Sequence, residues 1–409
     1  MLGQDTEPGH AIERWRASTR DFGRCTALRH GQTSLFTALL ANGAVGNVLE
    51  MDDIHRTAII HPGPVVVPAA LASAEHVGAD GVALLDAIAR GYEAMIRVGQ
   101  AVGPGHYKFW HNTATCGPLG AAAAAGSLFN LSIDQQVDAL GNAGTQAAGL
   151  WQVRLEPGMG KQLHNGRAAH AGVLAADLAR CGFTGASKIL EGPLGFFAAM
   201  CPDGDIDRVL ADPDDEWKLF DTGFKPWPAC RHTHPTIDAT LALRDSVDLD
   251  AIDVIEVHTF RDAVGICDRV HPTTTVESKF SLQHAVAVVL LEGTPTLAHF
   301  TAEAATGPRY RGLRERVRPM VSEPYAANFP SRYGAKVSVY LRDGRTIEAQ
   351  ALDALGDPGN PLSIEGIVAK AHTLLAAAGI APTRASAIVD ATLALPRGAS
   401  LTQLGLLLQ

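Results

Sequence analysis

The chain has no cysteine pair in C-x-x-C spacing, no excess of basic residues and no long apolar run, and each absence removes a class of protein. Its six cysteines (Cys25, Cys116, Cys181, Cys201, Cys230 and Cys267) are scattered, so neither a zinc ribbon nor a disulfide framework is indicated. A reducing cytoplasm is the plain expectation. With 34 Lys and Arg against 43 Asp and Glu the net charge is −9, whereas a general nucleic-acid surface needs a clustered cationic excess. Any anionic ligand must therefore meet a local cationic pocket. No stretch of ~18 uninterrupted apolar residues occurs, and the N-terminal MLGQDTEPGHAIERW has no charged region followed by an apolar one. Neither export nor membrane spanning is expected.

What is present is apolar material for a large core, 46% of 409 residues. From Ser34 to about Arg208 the chain is rich in Ala, Leu and Gly, with helical-period runs broken by Gly and Pro and almost no strand signal. Gly81–Arg97 places Leu84, Ile88 and Met95 on one face, and the Ala-rich run Gly117–Leu131 lets helices approach closely. Ser132 and Gln135 stand at the two ends of a capping box. After the acidic stretch Ala211–Glu216, β-branched alternation appears at Ala251–Phe260 and Lys336–Leu341; the latter passes through Arg342-Asp343-Gly344-Arg345 into Thr346–Ala351 as a hairpin. Past Pro358 and Pro361, Ser363-Ile-Glu-Gly opens an Ala/Leu-rich helix. The expected fold is mainly α: a large all-helical domain (1–222), an inserted smaller α/β lid (223–357), and C-terminal helices (358–409) returning to the helical domain.

Five segments carry the candidate chemistry. In Leu49-Glu50-Met51-Asp52-Asp53-Ile54-His55, followed by His61-Pro62-Gly63, carboxylates and histidines crowd an apolar stretch. On a helix Glu50 and Asp53 would share a face and raise each other's pKa, so that one could act as a base; the alternative is a solvated helix end. Gly105-His106-Tyr107-Lys108-Phe109-Trp110-His111-Asn112-Thr113 leads into the Ala-rich helix, where free N–H groups favour an anion and His111 could move a proton, unless Asn112 or Thr113 merely caps. Gly158-Met159-Gly160-Lys161 fails the phosphate-loop pattern because Gln162 follows the lysine. Lys161, His164, Arg167 and His170 suit a carboxylate-binding edge, or else are surface cations. Phe224-Lys225-Pro226-Trp227-Pro228-Ala229-Cys230-Arg231-His232-Thr233-His234 contains His-x-His without metal-ligand spacing elsewhere, so no metal is expected. His284, near the start of an apolar helix, reads alone as a core or cap residue.

In this order these segments, with the tail Gly356-Asp357-Pro358 and Asn360-Pro361-Leu362-Ser363, resemble the MmgE/PrpD family of 2-methylcitrate dehydratases, cis-aconitate decarboxylase and iminodisuccinate epimerase. The resemblance implies an all-helical domain, an α/β lid, a homodimer, and a site between the domains with neither metal nor organic cofactor. It carries the family's acidic cluster onto Glu50, Asp52 and Asp53, its histidines onto His61 and His111, and its lysines onto Lys161 and Lys225. Departures are Glu50 for the first aspartate of D-F-D-D, Ile54 for a threonine (or its offset to Thr57), Cys230 for a histidine and His284 for a tyrosine of the decarboxylase branch. Members usually carry about one helical hairpin more before the first motif. The expected reaction is dehydration of a small hydroxy-polycarboxylate like 2-methylcitrate, by proton abstraction α to a carboxylate. Lys161, His61, Lys225, Arg167, His164 and Cys230 would hold substrate or the developing enediolate, His111 with Glu50 or Asp53 would move the proton, and His284 or Tyr107 would be the second acid/base. Epimerisation of an iminodisuccinate-like acid comes second, decarboxylation of a cis-aconitate-like acid third, and a non-catalytic homologue is the alternative of another class.

Overall fold

The computed structural model describes residues 1–156, 158–213 and 216–409; Asp214 and Asp215 of the acidic stretch lie outside them. The chain divides into two compact units, one of Met1–Val48, Asp52–Thr222 and Ser363–Gln409, the other of Leu49–Met51 and Gly223–Leu362. The second is thus an insertion that also takes three residues from the acidic motif.

The first unit is helical, with α1 (Leu35–Val45), α2 (Gly63–Val77), α3 (Gly81–Ala101), α4 (Asn112–Leu128), α5 (Ile133–Gly144) and α6 (Gly160–Arg180). Asp80 caps α3, and Ser132 with Gln135 forms the expected capping box on α5. Helix α4 packs against α3 and α6, and α6 also against α1. The approach is close because both sides are small. A Cβ on Gly43 would lie 2.7 Å from the Cα of Gly166, so α1 and α6 touch backbone to backbone. Ala121, Ala122, Ala168, Ala169, Ala175 and Ala176 fill the seams, and Leu39, Ile60, Met95, Ile96 and Leu119 are fully buried. Each of these larger side chains contributes ~1.5–3 kcal/mol of burial. Among the described residues no helix is long and apolar enough to cross a membrane.

The second unit carries α7 (His234–Leu243), β1 (Ile252–Thr259), α8 (Leu282–Glu292), β2 (Val317–Val321), β3 (Ala335–Leu341) and β4 (Thr346–Ala351). The sheet order is β2-β1-β3-β4; β1 runs parallel to β2 and antiparallel to β3, with Ile255 beside both Val317 and Val339. The β3–β4 turn contains Gly344 at φ +88, a left-handed conformation that its Asp-Gly sequence favours. Ile255, Val257, Val337 and Val339 point into the core that α7 and α8 complete, while Glu256 and Tyr340 pair on the other face. The chain ends in α9 (Ile364–Ala377), α10 (Pro382–Leu393) and α11 (Leu401–Leu408), with Ser363 capping α9.

Candidate active site

The acidic segment does not continue as the helix its spacing suggested. Helix α1 stops at Val45, Glu50 has φ +55, and Asp53–His55 is extended, so Glu50 and Asp53 share no helical face. A non-glycine residue in the left-handed region costs ~1–2 kcal/mol, a strain that collects at functional positions. Asp53 is an anchor. Both its carboxylate oxygens accept from the Gly63 N–H, at 3.1 and 3.2 Å, where α2 begins, and the Tyr92 hydroxyl bonds to it as well. Burial first, and the charge of Asp52 second, raise its carboxyl above the usual range. A side chain at position 63 would collide with Asp53 Oδ1. Asp53, one of the two carboxylates expected to act as a base, uses its oxygens to hold the His61-Pro62-Gly63 turn.

His61 is fixed by that turn. Its Nδ1 lies 2.9 Å from the carbonyl oxygen of Asp53 and 2.8 Å from Oδ2 of Asp52, and its backbone N–H donates to Thr113 Oγ1 at 3.0 Å. The Asp53 carbonyl can only accept, which puts the proton on Nδ1 and the lone pair on Nε2, with the Asp52 carboxylate beside the ring. That arrangement can take a proton from a substrate.

His111 precedes the first residue of α4 in extended conformation, its N–H donating to Gly149 O at 2.9 Å. No side chain caps α4, so its first N–H groups point out of the helix end. The Nδ1 of His111 lies 3.1 Å from Nδ1 of His164, which stands one turn beyond Lys161 on α6. The ring is 2% exposed. Burial, then the charge of Lys161, hold its pKa well below the ordinary imidazole range, so it is neutral at pH 7. The same two causes lower His164. Trp151, which the sequence reading passed over, lies 4.4 Å from the His111 ring and 5.8 Å edge-on from Tyr107, with the Arg154 guanidinium over both aromatic rings. Tyr107 thus belongs to the edge of the histidine cluster. Arg167 lies on the exposed side of α6, where its charge acts on His170.

In the second unit Lys225 Nζ donates to Glu50 Oε2 at 3.0 Å, with side-chain exposures of 0% and 7%. Lys279, buried and not singled out from sequence, donates to the Leu49 carbonyl at 2.8 Å. Cys230 is buried beside this pair. Burial, the largest influence, pushes its thiol up, but hydrogen bonds with Cys267 and the His232 backbone and the charge of Lys225 together bring it below the usual range. Lys225 is placed by its neighbour in sequence: Phe224 N–H donates to Gly356 O at 2.8 Å, and Gly356, at φ +87, packs so tightly on Phe224 that a Cβ would collide with its carbonyl. The next residue, Asp357, pairs with the buried Arg231. His284, expected as a second acid/base, is buried: its ring packs on Phe300 and Tyr310, and its Nε2 donates to His299 O at 2.8 Å. Burial lowers its pKa to about 4. Among the described residues no group of three His, Cys, Asp or Glu side chains is arranged to hold a metal ion.

Cis-aconitate decarboxylase of Aspergillus terreus (strain NIH 2624 / FGSC A1156) is 27% identical over 422 residues, covering 96% of this chain and 86% of the relative. Human cis-aconitate decarboxylase is 28% identical over 350 residues, covering 81% and 71%. The mitochondrial 2-methylcitrate dehydratase of Yarrowia lipolytica is 25% identical over 244 residues, covering 56% and 46%. The MmgE/PrpD N-terminal domain matches residues 1–209 and the MmgE/PrpD C-terminal domain residues 227–395. The chain belongs to the MmgE/PrpD family, whose members named here are enzymes.

Proposed function

We propose that this chain is a lyase that dehydrates a small hydroxy-polycarboxylate of the 2-methylcitrate type, needing no cofactor. The observation that carries the reading is the pair of histidine centres in the helical unit. His61 is anchored at Nδ1 by Asp52 and the Asp53 carbonyl, His111 at Nδ1 by His164. Dehydration needs two proton transfers: one group takes the proton α to a carboxylate, the other protonates the β-hydroxyl as it leaves as water. His61, with Asp52 to stabilise its imidazolium, is the base. His111, kept neutral by burial and Lys161, is the acid through Nε2–H. Lys161 and the first N–H groups of α4 stabilise the enediolate. Within the second unit Lys225 has Glu50 as its counter-charge.

Decarboxylation of a cis-aconitate-like acid is the second reading, favoured by the near full-length similarity to the Aspergillus terreus enzyme. It would use His111 alone, to protonate the carbanion left by CO2. Two acid/base centres also suit an epimerase. The test is proton NMR of the protein in D2O with 2-methylcitrate, citrate, cis-aconitate and iminodisuccinate. New vinyl signals from a hydroxy acid support dehydration. Itaconate-like methylene signals from cis-aconitate replace it by decarboxylation, and deuterium entering α to a carboxylate without net conversion replaces it by epimerisation. Silence across the panel overturns all three.

A further inference from the structure

His111 is almost wholly enclosed, and its Nδ1 faces a partner imidazole. Its ring is 2% exposed, Trp151 lies 4.4 Å from it, and the backbone is pinned by the bond from its N–H to Gly149 O. Gly149, at φ +133, packs 3.5 Å from His164 Nδ1 for an added Cβ, and such a Cβ would collide with Ala114. The Nδ1 atoms of His111 and His164 are 3.1 Å apart with ring centroids at 5.3 Å. In two neutral imidazoles at this distance one Nδ1 must donate and the other accept, so the pair holds a single proton between them. His164 is the half-buried member, and among the described residues neither Nε2 has a hydrogen-bond partner.

We propose that His164 is a proton relay that connects His111 to solvent. The inference rests on the reading of His111 as the proton-transfer group. In the loaded state His164 carries its proton on Nδ1 and His111 carries its own on Nε2. His111 gives the Nε2 proton to the substrate atom, the His164 Nδ1 proton crosses to His111 Nδ1, and His164 Nε2 takes a proton from solvent. Each ring changes tautomer and neither becomes an imidazolium; the net transfer is one proton from solvent to substrate, and proton abstraction by His111 runs the same path backwards. This is the mode a site beside Lys161 allows, because burial and that ammonium disfavour a charged imidazole at both positions. His61 and Asp52 are the other titratable groups that act on His111. The relay assigns His164 a role that binding a substrate carboxylate would not.

Two measurements test it. In protein labelled with 15N-histidine, the His111 and His164 rings are expected as opposite tautomers at Nδ1; both rings protonated at Nε2 would overturn the proposal. His164→Asn keeps a polar group near His111 Nδ1 but has no second nitrogen, and His164→Ala leaves room for a small base. With whichever of 2-methylcitrate or cis-aconitate the wild type consumes, kcat should fall roughly 30-fold in both variants, with KM changed less than about threefold. Added imidazole should restore His164→Ala saturably. A purely structural His164 predicts that His164→Asn turns over like wild type and that imidazole does nothing, and either result sinks the relay. If the wild type consumes neither acid, the functional reading falls while the tautomer measurement still decides the relay.

Discussion

Replacing Lys225 by Met removes one charge from a pair whose other member stays buried. The nitrogen and carboxylate oxygen are 3.0 Å apart, with side chains 0% and 7% exposed. At an effective dielectric of ~20 two unit charges at that separation attract by about 5–6 kcal/mol, and breaking a buried pair from one side costs ~3–5 kcal/mol because the remaining charge stays buried and loses this partner. Glu50→Leu should destabilise over the same range. The double variant, with neither charge to desolvate, should return to within about 1–2 kcal/mol of wild type. A double-mutant cycle from urea unfolding, followed by circular dichroism, reads the coupling directly. A coupling below about 1 kcal/mol, or a double variant as unstable as the two singles summed, would refute the view that desolvation and pairing dominate here. A double variant that is stable yet has lost polycarboxylate binding would assign the pair a role in ligand binding as well.

Two further predictions concern the carboxylates and the buried histidines. Asp53→Asn should lower stability by ~1–2 kcal/mol through the weakened bond to the start of α2 and leave kcat within about threefold; Asp52→Asn should keep the fold but lower kcat ~100-fold or more by removing the counter-charge of His61. Kinetics and thermal melts of the two variants check this, and a larger kcat loss for Asp53→Asn would reverse the assignment. His284 and His55 each have a folded pKa lowered by burial to about 4, below the unfolded value of ~6.5. The native state then binds fewer protons, so the stabilisation is fully present above ~6.5 and is lost as pH falls towards 4, at ~1.4 kcal/mol per pH unit for each group. His284→Gln should flatten the stability-versus-pH slope in that window by about one proton's worth; an unchanged slope would show that His284 is charged in the native state.

Much of the fold is legible in the order of the residues because its signals are short-range. The capping box of Ser132 and Gln135, the Ser363 cap and the Asp-Gly hairpin turn use contacts within a few residues, and each appears in the structure as the sequence suggests. The same local reasoning misplaced the acidic segment. Three-residue spacing brings Glu50 and Asp53 together only on a helix, and α1 ends at Val45, before Gly46 and Asn47 and before either carboxylate is reached. His284 carried a signal that the local reading did respect, an apolar helix around a lone histidine; only the family resemblance moved it towards catalysis.

The sequence by itself determined the family, the mainly helical class and the residue types that can move protons and hold carboxylates, because these follow from composition, periodicity and ordered motifs. The tertiary structure decided how those residues are paired. His111 meets His164 across 53 positions, and Lys225 meets Glu50 across 175. Neither pairing has a local cause. The contact between α1 and α6 at Gly43 and Gly166, and the closure of Gly356 on Phe224, help set these positions within each unit. Burial then sets which charges persist: a neutral His111, a raised Asp53 carboxyl and a depressed His284 all follow from desolvation, which no stretch of sequence read alone contains.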